Sequence, residues 1–346
     1  MLRLRQRSDL ALPFGATGVV ARHLPTLLDN FIWVLLIVIV LLFSFLTERY
    51  LSIITLRNIL IHASVLGLLV VGQTFVLITR NFDLSAESTL GLTAMIAVWL
   101  MAPPGSPSWG SGLFLHPVIV IPLMLALGAF IGALNGLLIT RAGMNNFIVT
   151  LAMLIILRGF MLLPTHGTTV SGAPAAFNWL GSASIGIVPI PVLVLLIVFL
   201  VAHIVMTRRP FGRELYAIGG NPRAALASGI DPDHRILQAY VLSGLLASLA
   251  GWMLAGRVQA VPINLGQGMI FEVFAAAVIG GVSLQGGRGS MLGALGGVLL
   301  LSAIDTGLNL LNVPVFWIEV VRGFIILIAM LIDAQKIRLR TISRTH

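Results

Sequence analysis

The sequence predicts an all-α integral membrane protein of about ten transmembrane helices with both termini cytoplasmic, and three observations carry that expectation. Hydrophobic residues make up 58% of the 346 and charged residues only 10%, against roughly 25% charged in ordinary soluble domains, which excludes a soluble fold. The apolar runs are continuous and recur along the whole chain, so they suit membrane helices of about 20 residues and not the short alternating strands of a barrel. The cationic residues cluster in alternate connections, as they do when cytoplasmic loops are enriched in Lys and Arg.

Arg3, Arg5, Arg7 and Arg22 precede the first apolar run, and no small-residue cleavage site follows it, so residues 1–30 read as a cytoplasmic tail and the run as an anchor, not a removed signal peptide. A membrane domain then occupies 31–333, with a cytoplasmic tail at 334–346. Its predicted spans fall near 31–46, 58–79, 88–102, 117–140, 147–163, 187–207, 235–256, 268–284, 290–311 and 315–333. Starting inside and alternating sides places sixteen Lys and Arg in inside segments and three, Arg49, Arg57 and Arg257, outside. The net charge of +9 is thereby a consequence of topology, and no nucleic-acid partner is needed. The chain has no cysteine, which rules out disulfides, thiolate metal sites and cysteine nucleophiles.

Two outside connections, 101–116 and 164–186, are rich in Gly, Pro, Ser and Thr, and read either as spacers or as surfaces for an external partner. The inside connection 207–234 is polar and internally structured. Asn221 suits an N-cap, Pro222 the first helical position and Gly229 a left-handed terminator, which predicts a short helix across Arg223 to Ser228. So short a helix is stable only when docked on its own protein or a partner. Asp231 and Pro232 repeat the start signal for the next span.

The loop Gly212-Arg213-Glu214-Leu215-Tyr216-Ala217-Ile218-Gly219-Gly220-Asn221, continuing through Ala224-Ala225 to Ser228-Gly229-Ile230, resembles the cytoplasmic coupling segment of permease subunits from bacterial ABC importers for monosaccharides of the ribose, xylose and galactose type. The resemblance recurs in order through Gly72-Gln73-Thr74-Phe75-Val76 with Asp83-Leu84-Ser85, Gly132 with Asn135-Gly136, Phe147 to Leu151, Glu272 to Ser290, and Gly307 to Leu311. Three places depart from it. Arg80-Asn81 stands where the family usually has two glycines, Ala86-Glu87 where it tends to have Val-Gly, and Asn146 replaces a common proline.

The resemblance implies a subunit of the bacterial inner membrane that works by alternating access with a second permease copy or related chain. Two ATPase domains carrying ATP and magnesium and a periplasmic sugar-binding protein complete the assembly. It places ATPase coupling on Gly212, Arg213, Tyr216, Ala217, Gly219, Gly220, Asn221, Ala224, Ala225, Ser228, Gly229 and Ile230. The translocation pathway is expected at Gln73, Thr74, Asp83, Asn135, Glu272 and Asn309, whose polar groups suit sugar hydroxyls.

The residues also argue against other chemistry. The glycine run 280–289 has no P-loop lysine, since Lys336 is the chain's one lysine; no cofactor or metal is expected on this chain. His-Glu-x-x-His and Gly-x-Ser-x-Gly are absent, which disfavours an intramembrane protease or hydrolase. An ion-coupled secondary transporter has little use for the 207–234 loop; an ABC permease for nucleosides stays open. Among ionisable residues in spans, Glu319 and Arg322 can pair at three residues' spacing. Glu272 and Asp305 lack a local partner and suit a cavity or an interhelical contact. His62 and His203 read as core or interface histidines.

Overall fold

The computed structural model describes residues 31–105 and 108–342; the tail at 1–30, with Arg3, Arg5, Arg7 and Arg22, and residues 343–346 lie outside them. Thirteen helices are present among the described residues, and the ten predicted spans all find one. They are α1 (Phe31–Leu46), α2 (Ile53–Ile78), α3 (Ala86–Met101), α4 (Pro117–Thr140), α5 (Asn146–Leu162), α7 (Ile190–Arg208), α10 (Pro232–Val258), α11 (Met269–Ile279), α12 (Met291–Leu310) and α13 (Val315–Ile342). Three shorter helices, α6 (Ala175–Ser182), α8 (Pro210–Gly220) and α9 (Pro222–Ala227), lie in the connections. Five helices are long and apolar enough to cross a bilayer by length and composition, namely α2, α4, α7, α10 and α12.

The central helix is α2, buried from Ala63 to Ile78, and α10 runs beside it. Apolar side chains on the outer helices face outward, among them Phe45, Val118, Ile155, Leu196 and Phe316, as a bundle surrounded by lipid requires. Small residues bring α10 against α4: a Cβ on Gly132 would lie 2.1 Å from the Tyr240 carbonyl oxygen, and one on Gly244 2.1 Å from that of Gly128. This glycine seam, Gly128, Gly132 and Gly136, permits the close backbone approach typical of membrane helix pairs.

Several expectations are corrected here. The last helix continues to Ile342, past the predicted 333, because 334–342 contain neither Gly nor Pro to stop it. The segment predicted as a span at 268–284 contains only the 11 residues of α11, which rise about 16 Å, roughly half the hydrocarbon thickness. The connection after α5 is no plain spacer: α6 folds onto the end of α10, where Trp252 Nε1 donates to the Phe177 carbonyl at 2.8 Å and Gly181 meets the backbone at Met253 and Arg257. A two-residue strand, β1 (Val170–Ser171), pairs antiparallel with β4 (Ala260–Val261), and β2 (Ser184–Ile185) with β3 (Val188–Pro189). The inside loop holds a second helix, α8, ahead of the expected short one.

Candidate functional site: the docked hairpin and two chain breaks

Contacts along α10 order the rest of the molecule by depth. Near its start, Arg235 pairs with Glu214 of α8 and its guanidinium lies 6.0 Å from the Phe211 ring. Eleven residues in, about 16 Å along the axis, Ser243 Oγ donates to Asp83 Oδ2 at 2.7 Å. Further on, Gly251 lies against the Leu90 carbonyl.

The hairpin at the first end forms as its caps dictate. Asn221 Oδ1 accepts from the N–H groups of Arg223 and Ala224 at 3.1 and 3.2 Å. Gly229 takes φ +81, and the Ile230 N–H returns to the Ala225 carbonyl at 3.1 Å. Asp231 caps α10 through the His234 N–H at 3.2 Å. One side of the hairpin is docked inside the chain. Gly219 sits where a Cβ would lie 1.8 Å from the Ile78 carbonyl oxygen, Tyr216 donates its hydroxyl to the Gly289 carbonyl at 2.8 Å, and burial there displaces the phenol upward from its ordinary pKa.

The Gly287 N–H donates to the Ile78 carbonyl at 2.8 Å. Gly287 thus lies against the Gly219–Gly220 end of α8, and Gly280 against Gly293 of α12, two close backbone approaches that a side chain would block. Of the expected coupling residues, Gly212, Gly219 and Ala225 are buried within the chain, and Tyr216 and Ile230 half-buried. Arg213, Ala217, Gly220, Asn221, Ala224, Ser228 and Gly229 are exposed. So is Leu226, at 63%, which the sequence reading passed over.

Between α2 and α3 the helix breaks at 79–85. Irregular backbone at membrane depth is tolerated when its polar groups are satisfied inside the protein, and here Asp83 does this. Its Oδ1 accepts from the Ser85 N–H at 3.1 Å and hydroxyl at 2.7 Å, while Asn135 Nδ2 donates to Ser85 Oγ at 2.8 Å. Tyr240 donates to the Phe82 carbonyl at 2.6 Å. Of the expected pathway residues, Gln73, Thr74, Asp83 and Asn135 are buried, and Thr74 bonds back to the Val70 carbonyl at 2.6 Å.

Two of the departures from the family pattern, Asn81 and Asn146, bond to each other. Asn146 Nδ2 donates to Asn81 Oδ1 at 2.8 Å, and Arg80 reaches α8. Glu87, 5% exposed, joins the second break, 259–268, to the first: one oxygen accepts from the Ile270 N–H of α11 at 3.1 Å, the other from Arg158 Nη2 at 3.3 Å. Arg158 also donates to the Leu265 carbonyl at 3.2 Å. Replacing Glu87 by Ala strands both a guanidinium and a helix-terminal amide, so Glu87→Ala is expected to cost about 2–4 kcal/mol. The double variant with Arg158→Met should lose less than the sum of the two, by about 1–3 kcal/mol, read from thermal unfolding of purified permease.

A third group lies among α2, α11, α12 and α13. Arg322 reaches Glu272 at 2.9 Å, Glu319 at 2.9 Å, and both Asp305 oxygens at 3.1 and 3.2 Å. The local Glu319–Arg322 pair is present, and the same guanidinium supplies the partner that Glu272 and Asp305 lack in sequence. His62 Nδ1 lies 3.2 Å from Ser302 Oγ and its Nε2 4.0 Å from Glu272 Oε2. His62, Glu272 and Asp305 come within ligand distance of one another, a juxtaposition that spacing along the chain does not show. Arg322 already engages both Asp305 oxygens and one of Glu272, so the group is an ion-pair cluster built round a guanidinium. The adjoining cavity, about 10 Å³, is too small for a sugar. Asn309 is exposed and donates to the Asp305 carbonyl at 2.7 Å.

A helical bundle with an apolar outer surface, five helices long and apolar enough to cross a bilayer and buried polar residues at its chain breaks is that of an integral membrane protein. Residues 55–330 match the family described as branched-chain amino acid transport system / permease component, and the chain belongs to that permease family. It is 37% identical over 303 residues to the ribose import permease protein RbsC of Bacillus subtilis, covering 87% of this chain and 91% of that one. It is 36% identical to RbsC of Escherichia coli K12, over 87% and 92%, and 32% identical to the xylose transport system permease protein XylH of the same organism, over 86% and 90%. No solved structure matches it. As a permease component, the chain is not itself the ATPase.

Proposed function

We propose that this chain is the permease of an ATP-driven importer of a monosaccharide, of the ribose and xylose class that its relatives' names describe, in the bacterial inner membrane. Ten crossings with both termini cytoplasmic agree with the sixteen-to-three distribution of Lys and Arg. In two of the crossings an irregular segment, 79–85 or 259–268, completes what α3 or α11 is too short to span.

The single observation that carries the mechanism is the half-free hairpin. Its inner side is bonded to the 79–85 break and to the glycine run, while α9 presents Leu226, Arg223 and Ala224 outward. Two ATPase domains, holding ATP and magnesium, dock on these hairpins in a pair of permease copies, and a soluble sugar-binding protein delivers cargo at the opposite face. Nucleotide and sugar shift the outward and inward states through their differential affinity for them. The sugar passes beside the exposed Asn309, and the buried Gln73, Thr74, Asp83, Asn135 and Glu272 hold the helices that frame this route.

Because Leu226 is 63% exposed, Leu226→Asp is expected to leave insertion and thermal stability unchanged while cutting the ATPase retained on purification from native membrane by roughly tenfold or more. Equal retention by the variant, or no ATPase with the wild type, would overturn this reading.

A further inference from the structure

We propose that Arg80 is the positioning residue that carries movement of the α8–α9 hairpin into the chain break at 79–85, an inference that rests on reading the hairpin as the ATPase-docking element. Arg80 holds φ +67, a left-handed conformation that favours glycine. What it does with that geometry is specific. Its Nε donates to the Gly219 carbonyl at 2.6 Å and its Nη2 to the Gly220 carbonyl at 2.7 Å, the last two carbonyls of α8, where the helix dipole is negative. Its stem passes over Gly286, where a Cβ would lie 2.4 Å from Arg80 Cγ.

The other direct ties between α8 and the break are of a different kind. Gly219 against the Ile78 carbonyl is a close contact, and close contacts transmit compression but not tension. Two charge-assisted hydrogen bonds from one planar fork resist pulling and rotation as well. Three residues beyond Arg80, Asp83 bonds to Ser243 of α10 and, through Ser85, is linked to Asn135 of α4. Glu87 then reaches the first turn of α11. A pull on the α8 end is delivered through Arg80 to the junction from which three membrane helices are held.

The test uses the assembled transporter, purified with its own ATPase and reconstituted with the binding protein, and reads ribose and xylose uptake per ATP hydrolysed. Arg80→Gly relieves the left-handed φ, so the complex is expected to assemble and hydrolyse ATP while moving roughly tenfold fewer sugars per ATP. Bridging an Arg80→Cys/Gly220→Cys pair with a thiol-reactive spacer should restore the ratio; Gly220 has nothing within 4 Å of a built Cβ, and the chain has no native cysteine. A wild-type ratio in Arg80→Gly would overturn the proposal and leave the docking reading standing. Failure of Arg80→Gly to assemble would also overturn it, making Arg80 a folding residue. A wild-type complex that holds no ATPase would overturn both.

Discussion

Replacing Gly132 by leucine is expected to abolish the folded permease, and even Gly132→Ala to destabilise it strongly. Two effects oppose each other at this position. Alanine is the better helix former by about 1 kcal/mol, but its Cβ would stand 2.1 Å from the Tyr240 carbonyl oxygen, a distance that no rotamer change relieves, because both atoms belong to backbone-fixed groups. The α4 and α10 backbones would have to separate along a seam that includes Gly128, Gly136 and Gly244, with losses of more than about 4 kcal/mol for leucine. Gly159 on α5 supplies the contrast: a Cβ there meets nothing within 4 Å, so Gly159→Ala should leave stability unchanged or raise it. The recovered fraction of monodisperse protein and its unfolding temperature check both; equal behaviour of the two alanine variants would show that the seam is looser than described.

The second large effect is expected at Arg322. Its guanidinium is the cation for Glu272, Asp305 and Glu319, and removing it leaves the buried carboxylates of Glu272 and Asp305 without a counter-charge. Arg322→Met should cost about 3–5 kcal/mol, the range measured when one partner of a buried ion pair is deleted. If charge imbalance is the cause, adding Glu272→Gln and Asp305→Asn to Arg322→Met should recover much of that loss, since the desolvation cost of the carboxylates goes with their charge. Recovery would appear as a return of the unfolding temperature. A triple variant no more stable than Arg322→Met would mean that the guanidinium stabilises through packing and hydrogen bonds to neutral groups instead. Glu319, 62% exposed by side chain, should matter little, as exposed pairs do.

Much of the fold was legible because membrane insertion imposes strong local rules. Apolar runs located α1 and α4 to the residue, and the cap signals at Asn221, Pro222, Gly229 and Asp231 foretold α9 and the start of α10. Those signals are local: a cap acts on amides two or three residues away. The α8 helix does carry a local signal, Pro210 in its first turn and apolar Phe211, Leu215 and Ile218 at helical spacing, which the sequence reading passed over within a loop. The two breaks were hidden for a different reason. An apolar run at 268–284 looks alike whether it crosses the membrane or serves as half a helix, and the choice depends on a carboxylate from Glu87 arriving at the Ile270 amide.

What the sequence determined by itself was the class of protein, the order of its apolar helices and the position of the polar hairpin, all set by hydropathy and caps acting within a few residues. Only the tertiary structure decided what the polar residues do. It gave Asp83 and Asn135 their partners in Ser243 and Ser85, divided the hairpin into a docked and a free side, and gathered Glu272, Asp305 and His62 round one arginine. The physical reason is that a buried polar group takes its role from the partner that satisfies it. In this chain those partners come from helices far away in sequence: Asp83 is matched 160 residues on by Ser243, Arg80 140 residues on by Gly220.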